Sequence, residues 1–451
     1  MILKYEQEHD QEYEHDNLMS NLSKEREIIS KNIFDNGEKY PSPGKPKLSW
    51  QATFAGLQHR NYRLWFIGQI ISLFGSWMQM TAQAFFIFEL THSPAFLGYV
   101  GFANGLPSWL FMVYGGVIAD RFSRKKILII TQIIMMLLAF VLALLTFIQI
   151  VQPWHIILLA FFLGIANAFD APARQAFVND LVPKEDLLNA IALNSMMFQS
   201  AAAVGPAVAG ITYAVLGPGW CFTINGISFL AVIYNLLKMK FAPAPKRNIN
   251  KSVSKELMDG LRYLKTQKQI LLIMLIVSFS TFLGLSIATL FPVWAVGILH
   301  GNATTNGLLQ ASRGVGAVLC SLAIASFGRN LARGKVLIVG LVSLPIFMIL
   351  FSINSSFIIS SLILVGIGAG IIAVNNLSNG LTQTLVSEEF RGRVMGVYSF
   401  SFFGFMPIGA LWIGMLAEHF SSQTAILINA IILLIFSIVI WFMMPSLRKN
   451  N

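Results

Sequence analysis

Residues 116–126 read Gly116-Val-Ile-Ala-Asp120-Arg121-Phe-Ser123-Arg124-Lys125-Lys126 and separate two long apolar stretches. These stretches, 95–118 and 127–150, contain no charged residue. Each is long enough to cross the hydrocarbon core of a bilayer, about 30 Å thick, as a helix of about 20 residues. The segment therefore predicts two membrane-spanning helices joined by a short, mainly basic loop.

The whole chain repeats this alternation of apolar stretches and short polar breaks. Its 451 residues are 55% hydrophobic and only 12% charged, with a mean hydropathy of +0.65, whereas soluble domains carry about 25% charged residues. This composition excludes a soluble globular protein. We predict an all-α membrane protein with twelve transmembrane helices, at residues 64–88, 95–118, 127–150, 154–178, 189–216, 220–237, 270–296, 305–327, 336–353, 357–385, 394–417 and 424–444.

Lysine and arginine residues predict how these helices are oriented. The connections at one end contain neither residue type, at about 89–94, 151–153, 217–219, 297–304, 354–356 and 418–423. Nearly all basic residues lie at the other end, which is typical of the cytoplasmic side. Both termini are therefore predicted to be cytoplasmic, and the net charge of +11 indicates contact with anionic membrane lipid rather than nucleic acid.

The composition also divides the chain into four regions. Residues 1–57 are rich in acidic and polar residues and are predicted to form a disordered cytoplasmic tail. Residues 58–240 and 269–451 are predicted to be two six-helix bundles. A basic cytoplasmic linker at 241–268 joins them.

An internal repeat supports the division into two bundles. Gly205 and Gly210 match Gly409 and Gly414, which lie 204 positions later. Two parallel, related halves with a polar site between them are a common construction of transporters. We therefore predict that the two bundles are pseudosymmetric halves.

Two motifs contain residue types suited to a conformational switch. Glycines let helices approach closely, and an acidic residue among basic ones can form ion pairs that break and re-form. The second motif, Gly-Pro-Ala-Val-Ala-Gly at 205–210, adds a proline that bends the helix. A plain basic loop and an ordinary proline kink are the alternatives. The predicted switch comprises Gly116, Asp120, Arg121, Arg124, Gly205, Pro206 and Gly210.

These motifs resemble those of the major facilitator superfamily. Gly-x-x-x-Asp-Arg-x-x-Arg-Lys, from Gly116 to Lys125, is similar to its signature loop, and Gly-Pro-x-x-x-Gly at 205–210 is similar to its antiporter motif. Ser123 departs from the glycine that is common there. Further segments resemble the branch of enterobactin-exporter-like and macrolide-efflux-like proteins, at 57–72, 79–83, 89–98 and 170–176. The resemblance covers about residues 57–445.

The resemblance implies a transporter in the inner membrane of a bacterium. It implies export of a small amphipathic molecule by alternating access, coupled to proton entry. A siderophore or similar secondary metabolite is the expected substrate, and multidrug or macrolide-type efflux is the alternative. We expect a monomer without cofactor or metal.

Polar residues inside the spans predict a substrate pathway. In the first span, polar residues recur at steps of three and four, at Gln69, Ser72, Ser76, Gln79 and Gln83, and so share one helical face. A polar face avoids lipid, so it lines either a cavity or the contact with a neighbouring helix. The predicted pathway comprises Gln69, Ser76, Gln79, Gln83, Asn167, Asn375, Asn379 and Arg313.

Four ionisable residues of the spans have two possible roles each. Asp170 and Arg174 are four residues apart and form an inner gate pair, or Asp170 carries the coupling proton. Glu89 is the second proton candidate. Arg313 lies roughly 12 Å below the outer end of its span. It either pairs with an acid such as Glu89 or attracts an anionic substrate.

Other function classes lack the residues they need. The two cysteines, 99 positions apart, provide neither a disulfide framework nor a metal site. The sequence contains no HExxH or GxSxG motif, which disfavours a membrane-embedded enzyme. It contains no GxxxxGK[ST] loop, which disfavours an ATP-driven pump. A receptor that does not transport is the remaining alternative.

Overall fold

Twelve long helices account for nearly all of the described residues. A computed structural model describes residues 54–239, 262–264, 267–327 and 333–443. The predicted tail through residue 53 and most of the predicted linker at 241–268 lie outside this part of the chain. The helices are α1 Arg60–Thr91, α2 Pro94–Arg121, α3 Arg124–Phe147, α4 Pro153–Val178, α5 Leu187–Leu216, α6 Pro218–Lys238, α7 Lys268–Ile298, α8 Ala303–Phe327, α9 Arg333–Ser352, α10 Phe357–Leu385, α11 Arg391–His419 and α12 Ser422–Met443.

Length and composition allow these helices to cross a membrane. Eleven of them qualify singly. Helix α2 is bent by 56° between Pro94–Phe111 and Tyr114–Arg121, and counting it as one span gives twelve within the described residues. The bend lies between Pro107 and the pair Gly115-Gly116, residue types at which helices bend. The predicted all-α fold with twelve transmembrane helices is confirmed.

The helices extend slightly beyond their apolar stretches. Every helix starts within four residues of its predicted start and ends within three of its predicted end. Five helices begin at a basic residue, namely Arg60, Arg124, Lys268, Arg333 and Arg391. Long basic side chains reach the membrane interface from a helix end, so the helix continues past the apolar stretch.

These five starts lie at the same end of the protein, which we call the basic end. At the opposite end, the connections contain no lysine or arginine, at 92–93, 148–152, 217, 299–302, 353–356 and 420–421. We call it the short-loop end.

The same pairing of helices occurs in both halves of the fold. In the first half, α1–α6, helix α2 packs on α4, α3 packs on α4 and α6, and α1 packs on α5 and α6. In the second half, α7–α12, helix α8 packs on α10, α9 packs on α10 and α12, and α7 packs on α11 and α12. Corresponding helices are six apart, which is the predicted pseudosymmetry. The bundle boundaries at 58–240 and 269–451 remain predictions.

Two helix pairs join the halves, α2 with α11 and α5 with α8. Glycines bring the backbones together at both crossings. A Cβ atom at Gly98 would lie 2.9 Å from the carbonyl oxygen of Ala410, and one at Gly210 would lie 2.5 Å from that of Ala303. Such small residues permit close helix packing inside a membrane. No larger residue fits at Gly98 or Gly210 unless the helices move apart.

Toward the basic end, α2 and α11 separate. On α2, Gly98, Gly105, Trp109 and Gly116 follow at steps of seven, four and seven, so helical periodicity places them on one face. Gly98 and Gly105 contact α11, and Trp109 stacks on Phe400 of that helix. A Cβ atom at Gly116 would meet nothing within 4 Å among the described residues. The surface that packs on α11 near the short-loop end is therefore open at the basic end.

Helix α7 has the least regular backbone of the described helices. It changes from an α-helix to a π-helix, a 3₁₀-helix and a second π-helix, at Lys268–Phe279, Ser280–Gly284, Leu285–Leu290 and Trp294–Ile298. Such changes leave backbone groups in need of other partners. The fully buried Asn429 of α12 donates a hydrogen bond to the Leu283 carbonyl oxygen at 3.2 Å. It also accepts one from the Trp412 indole N–H at 3.0 Å.

We expect Gly210→Leu to destabilise the contact between the halves. The new side chain would meet the Ala303 backbone, and overpacking of this kind costs about 1–3 kcal/mol. Thermal unfolding of the purified protein in detergent measures the loss. Val208→Leu is the matched control, because Val208 is 39% exposed and two residues away on the opposite face of α5. Equal melting temperatures for the two variants would contradict the packing described here.

Candidate transport pathway

The polar face of α1 packs against α6. Four of its five polar residues are buried, and Ser76 is half-buried. The side-chain amide of Asn225 in α6 donates a hydrogen bond to Gln79 Oε1 at 2.7 Å. A Cβ atom at Gly75 would lie 2.6 Å from Ser228 Oγ, so the two helices are in close contact here. For Gln79 the structure favours the helix–helix alternative over the cavity.

Three predicted pathway residues make no side-chain hydrogen bond within the described part of the chain. They are Gln69 and Gln83 of α1 and Asn167 of α4. The Nε2 atom of Gln69 is buried, and Asn167 is half-buried. Buried polar atoms normally have a partner in the protein or in water. These amides are available to a polar ligand or to water and remain pathway candidates.

Asp170 is buried in α4 and held by residues of the first half. Its Oδ1 accepts hydrogen bonds from Thr131 Oγ1 at 2.9 Å and from Gln132 Nε2 at 3.1 Å, both in α3. Its Oδ2 lies 3.4 Å from Arg174 Nε. The predicted pair with Arg174 therefore forms within α4, and the hydrogen bonds from Thr131 and Gln132 link α4 to α3. These contacts suit a structural role, and proton transfer by Asp170 remains a prediction.

Arg124 joins the ends of three helices at the basic end. Its Nη1 lies 2.8 Å and 2.9 Å from the two carboxylate oxygens of Asp180 and donates to the Ala176 carbonyl oxygen at 3.0 Å. Its Nη2 lies 3.6 Å from Asp120 Oδ1. Arg121 is exposed and forms no ion pair with a described residue. The network therefore includes Asp180, which the sequence motif did not identify, and does not include Arg121.

The close approach predicted for Gly116 occurs one residue earlier. A Cβ atom at Gly115 would lie 2.2 Å from the carbonyl oxygen of Ala168 in α4. One residue along a helix turns the side chain by about 100°, so Gly115 faces α4 and Gly116 does not. Gly116 instead faces open space.

The second motif lies where α5 crosses α1 and α8. A Cβ atom at Gly205 would lie 2.7 Å from Trp77 Cβ in α1. The Pro206 carbonyl oxygen lies 2.3 Å from the place of a Cβ atom at Gly307 in α8. Pro206 and Gly210 therefore contact the other half, whereas Gly205 packs within the first half.

Asn375 and Asn379 lie one turn apart on α10 and are half-buried. The side-chain amide of Asn375 donates to the Ile371 carbonyl oxygen at 3.0 Å, and Tyr398 donates its hydroxyl to the Asn375 carbonyl oxygen at 2.8 Å. Asn379 Oδ1 accepts a hydrogen bond from Gln383. The side-chain oxygen of Asn375 is buried without a partner among the described residues, so it is free to accept from a ligand.

A polar face of α8 points into the protein. Asn306 is fully buried, Gln310 is buried and Arg313 is half-buried, at steps of four and three. Neither amide atom of Asn306 has a partner in the described part of the chain, and the buried Nε of Arg313 has none either. Val315 and Leu319 are exposed on the opposite face, which is the lipid side. The unpaired polar atoms therefore lie on the interior side.

Arg313 has no acidic partner among the described residues. The alternative that it pairs with Glu89 is wrong, because Tyr213 of α5 donates its hydroxyl to the Glu89 carboxylate. Asp170 and Glu418 also bind other groups. A charge at the bilayer centre costs about 2.5–3.5 kcal/mol. A chain that keeps this cost has a functional use for the charge.

Glu418 joins the two halves at the short-loop end. Its carboxylate, at the end of α11, accepts hydrogen bonds from Ser93 Oγ at 2.6 Å and from the Ala95 N–H at 3.1 Å, at the start of α2. The positive end of a helix dipole favours such an anion. On the other helix pair, Thr304 Oγ1 donates to the Gly210 carbonyl oxygen at 3.3 Å. Glu418 could not be identified from the sequence, because its partners lie more than 300 positions away.

These features define a secondary transporter of the major facilitator superfamily. In the described part of the chain, two related six-helix halves pack together from the short-loop end to the middle of the helices, and unpaired polar groups lie on interior helix faces. The chain belongs to the transmembrane secretion effector family of that superfamily, which it matches over residues 51–451. The resemblance predicted from the two motifs is thereby confirmed.

Curated relatives are named as efflux proteins, transporters or exporters. Macrolide efflux protein A of Streptococcus pyogenes is 24% identical over 391 residues, covering 84% of this chain and 94% of the relative. The staphyloferrin A transporter of Staphylococcus aureus is 23% identical over 391 residues, covering 86% and 97%. The enterobactin exporter of Citrobacter koseri is 22% identical over 408 residues, covering 89% and 96%. The chain is accordingly a multi-pass membrane transporter of the efflux or secretion type and not an enzyme.

Solved structures share the fold. The nucleoside transporter NupG superposes with a TM-score of 0.65 at 16% identity, covering 88% of this chain and all of that one. A bacterial homologue of the human lysosomal transporter Spinster, in an inward-facing and unoccupied conformation, superposes with a TM-score of 0.66 at 16% identity, covering 87% and 98%. At this identity the likeness concerns the fold alone.

We expect Glu418→Gln to loosen the short-loop end. A neutral amide binds the Ser93 hydroxyl and the helix terminus more weakly, by about 0.5–1 kcal/mol, which shifts the population of closed molecules about two- to fivefold. Distances between spin labels in the connections at 148–152 and 353–356 report this population. Glu388→Gln is the control, since Glu388 is exposed at the basic end. Unchanged distance distributions in the Glu418 variant would show that this contact does not hold the end closed.

Proposed function

We propose that this protein exports a small amphipathic molecule, a siderophore or similar secondary metabolite, by alternating access and proton antiport. The proposal rests on one observation. An interior face of α8 carries unpaired polar groups, in a fold whose halves touch at the short-loop end and separate at the basic end. A pathway of this kind takes up its substrate from the open end and releases it at the other after the halves rock.

The distribution of basic residues supports the direction of transport. Among the described residues, lysine and arginine lie at the basic end and at two interior positions, Arg174 and Arg313, which favours a cytoplasmic basic end. We propose that both termini lie on that side. The open end then faces the cytoplasm. The inward-facing conformation of the Spinster homologue has the same fold and supports this interpretation. We further propose that the protein acts as a monomer in the bacterial inner membrane, with lipid around it.

The relatives support export of a siderophore. A staphyloferrin A transporter and an enterobactin exporter lie among them, and both names denote siderophore transport. Macrolide-type efflux is the second candidate, because macrolide efflux protein A is equally similar to this chain. The two candidates differ in the chemistry of the exported molecule.

Proton coupling requires an acid that exchanges its proton during the cycle. Asp170 and Glu89 are the candidates that lie within helices. Glu89 binds the hydroxyl of Tyr213 near the short-loop end, and Asp170 lies nearer the basic end, bound by the side chains of Thr131, Gln132 and Arg174.

Proteoliposomes with an imposed pH gradient separate these candidates. The variant that replaces the proton carrier, Asp170→Asn or Glu89→Gln, should abolish gradient-driven accumulation of the substrate without abolishing substrate exchange.

Mass spectrometry of spent medium from parent and deletion strains, grown without iron, tests the proposed function. We expect an iron-binding compound to disappear from the medium of the deletion strain and to accumulate in its cells. Re-expression of the gene is the control and should restore secretion. Identical media would contradict siderophore export, and macrolide resistance of the same strains then tests the second candidate.

We expect Gly116→Leu to block transport without lowering stability. The new side chain has space in this conformation but would prevent α2 and α11 from closing at the basic end. Export by the re-expressed variant and its melting temperature in detergent are the two measurements.

Tyr114→Leu is the matched control for that variant. Tyr114 is 63% exposed and lies two residues from Gly116, on the opposite face of α2. It should transport normally. Normal transport by Gly116→Leu would show that the halves do not close at this position.

A further inference from the structure

Arg313 lies in the middle of the membrane, on the interior face of α8. It is the eleventh residue of that helix, so a rise of 1.5 Å per residue places it about 15 Å from Ala303, half of a core about 30 Å thick. Arginine side chains near helix ends extend to water at the interface. From the middle of the helix, on the side opposite the exposed Val315 and Leu319, the guanidinium reaches neither interface nor lipid.

The backbone around Arg313 is fixed from two sides. A Cβ atom at Gly368 of α10 would lie 2.0 Å from the Arg313 carbonyl oxygen. A Cβ atom at Gly314 would lie 2.6 Å from the Cα atom of Ala203 in α5. Helix α8 is therefore held between a helix of its own half and a helix of the other half. The Arg313 side chain leaves this point toward the interior, where the two halves meet.

Further groups on the same face lack partners. Asn306, two turns closer to the short-loop end, is fully buried, and both of its amide atoms are without a hydrogen bond among the described residues. Gln310 is buried between Asn306 and Arg313. A fixed cation with an unused donor and acceptor two turns away matches a ligand that has an acidic group and a separate polar group.

No described acid balances the charge of Arg313. Glu89 binds Tyr213, Asp170 binds Thr131, Gln132 and Arg174, and Glu418 binds the start of α2. The other described acids lie in loops or helix ends at the basic end, at Asp120, Asp180, Glu185, Asp186, Glu388 and Glu389. No described acid therefore supplies the counter-charge, which suits the binding of an anionic group from outside the protein.

We propose that Arg313 binds an acidic group of the exported molecule, with the amides of Asn306 and Gln310 bound to its neutral polar part. The substrate class is thus an organic acid, such as a carboxylate, and a molecule whose charge is a protonated amine is repelled. This inference rests on the proposed function and deepens it. It selects an acidic siderophore or metabolite over a basic macrolide.

Proteoliposomes test the charge requirement with three probes. The probes are a citrate-based siderophore, its methyl ester and the macrolide erythromycin. An imposed pH gradient drives the uptake of each probe. The variants are R313Q, which removes the charge, and R313K, which keeps it. Lys184→Gln is the control, because Lys184 is an exposed basic residue of a loop. Melting temperatures of the purified proteins with each probe measure binding independently of transport.

We expect the wild type to bind and transport the acid and not its ester. R313Q should lower uptake of the acid by about tenfold or more, because a charge-assisted hydrogen bond is lost. For the same reason, adding the acid should no longer raise the melting temperature of this variant. R313K should retain part of both, and Lys184→Gln should match the wild type. R313Q alone should melt about as high as the wild type, because the substitution removes no ion pair with a described acid and the buried Nε has no hydrogen-bond partner among the described residues.

Other outcomes separate this inference from the proposed function. Binding of the acid that depends on Arg313, without transport, would support the site and contradict export. Transport of erythromycin that R313Q leaves unchanged would support export and overturn the anion site. Equal loss of all probes with a lowered melting temperature in R313Q would show that Arg313 is structural. If the acid does not change the melting temperature of the wild type, the inference is also overturned.

Discussion

Inside hydrocarbon a polar group has no water to bind, and the arrangement of this protein follows from that constraint. Several polar side chains within the helices are paired with a neighbouring helix. Asn225 binds Gln79, Thr131 and Gln132 bind Asp170, and the side chain of Asn429 binds a backbone carbonyl of α7. These pairs hold each half together. The groups without a partner among the described residues include Asn306 and Arg313 on α8, which we propose line the pathway.

The contact between the halves uses a different kind of interaction. Within the described residues, every ion pair joins residues of one half. The halves meet mainly through glycines and backbone, with hydrogen bonds to Glu418 and from Thr304 at the short-loop end. Close packing of small residues has a short range and no strong bond to break. Such an interface can part and re-form at either end while each half stays rigid.

Much of the fold could be predicted from the sequence, because hydrocarbon imposes length and apolarity on every helix separately. The helix ends and the twelve spans were predicted for that reason. Side-chain partners depend on how each helix is rotated, and one residue changes the direction by about 100°. Hence Gly115 rather than Gly116 contacts α4, and Glu89 binds Tyr213 instead of Arg313. Periodicity identified the polar face of α1 but could not tell whether that face lines a cavity or packs on a neighbouring helix.

The irregular helix α7 has a consequence for its length. The 3₁₀ segment Leu285–Leu290 rises about 2.0 Å per residue, against about 1.5 Å in an α-helix. If these six residues changed to α-helical hydrogen bonds, the far end of α7 would move by about 3 Å along its axis. The number of backbone hydrogen bonds would stay nearly the same. Such a change would therefore shift one end of α7 by a few ångströms along its axis, without a hinge loop and without unfolding.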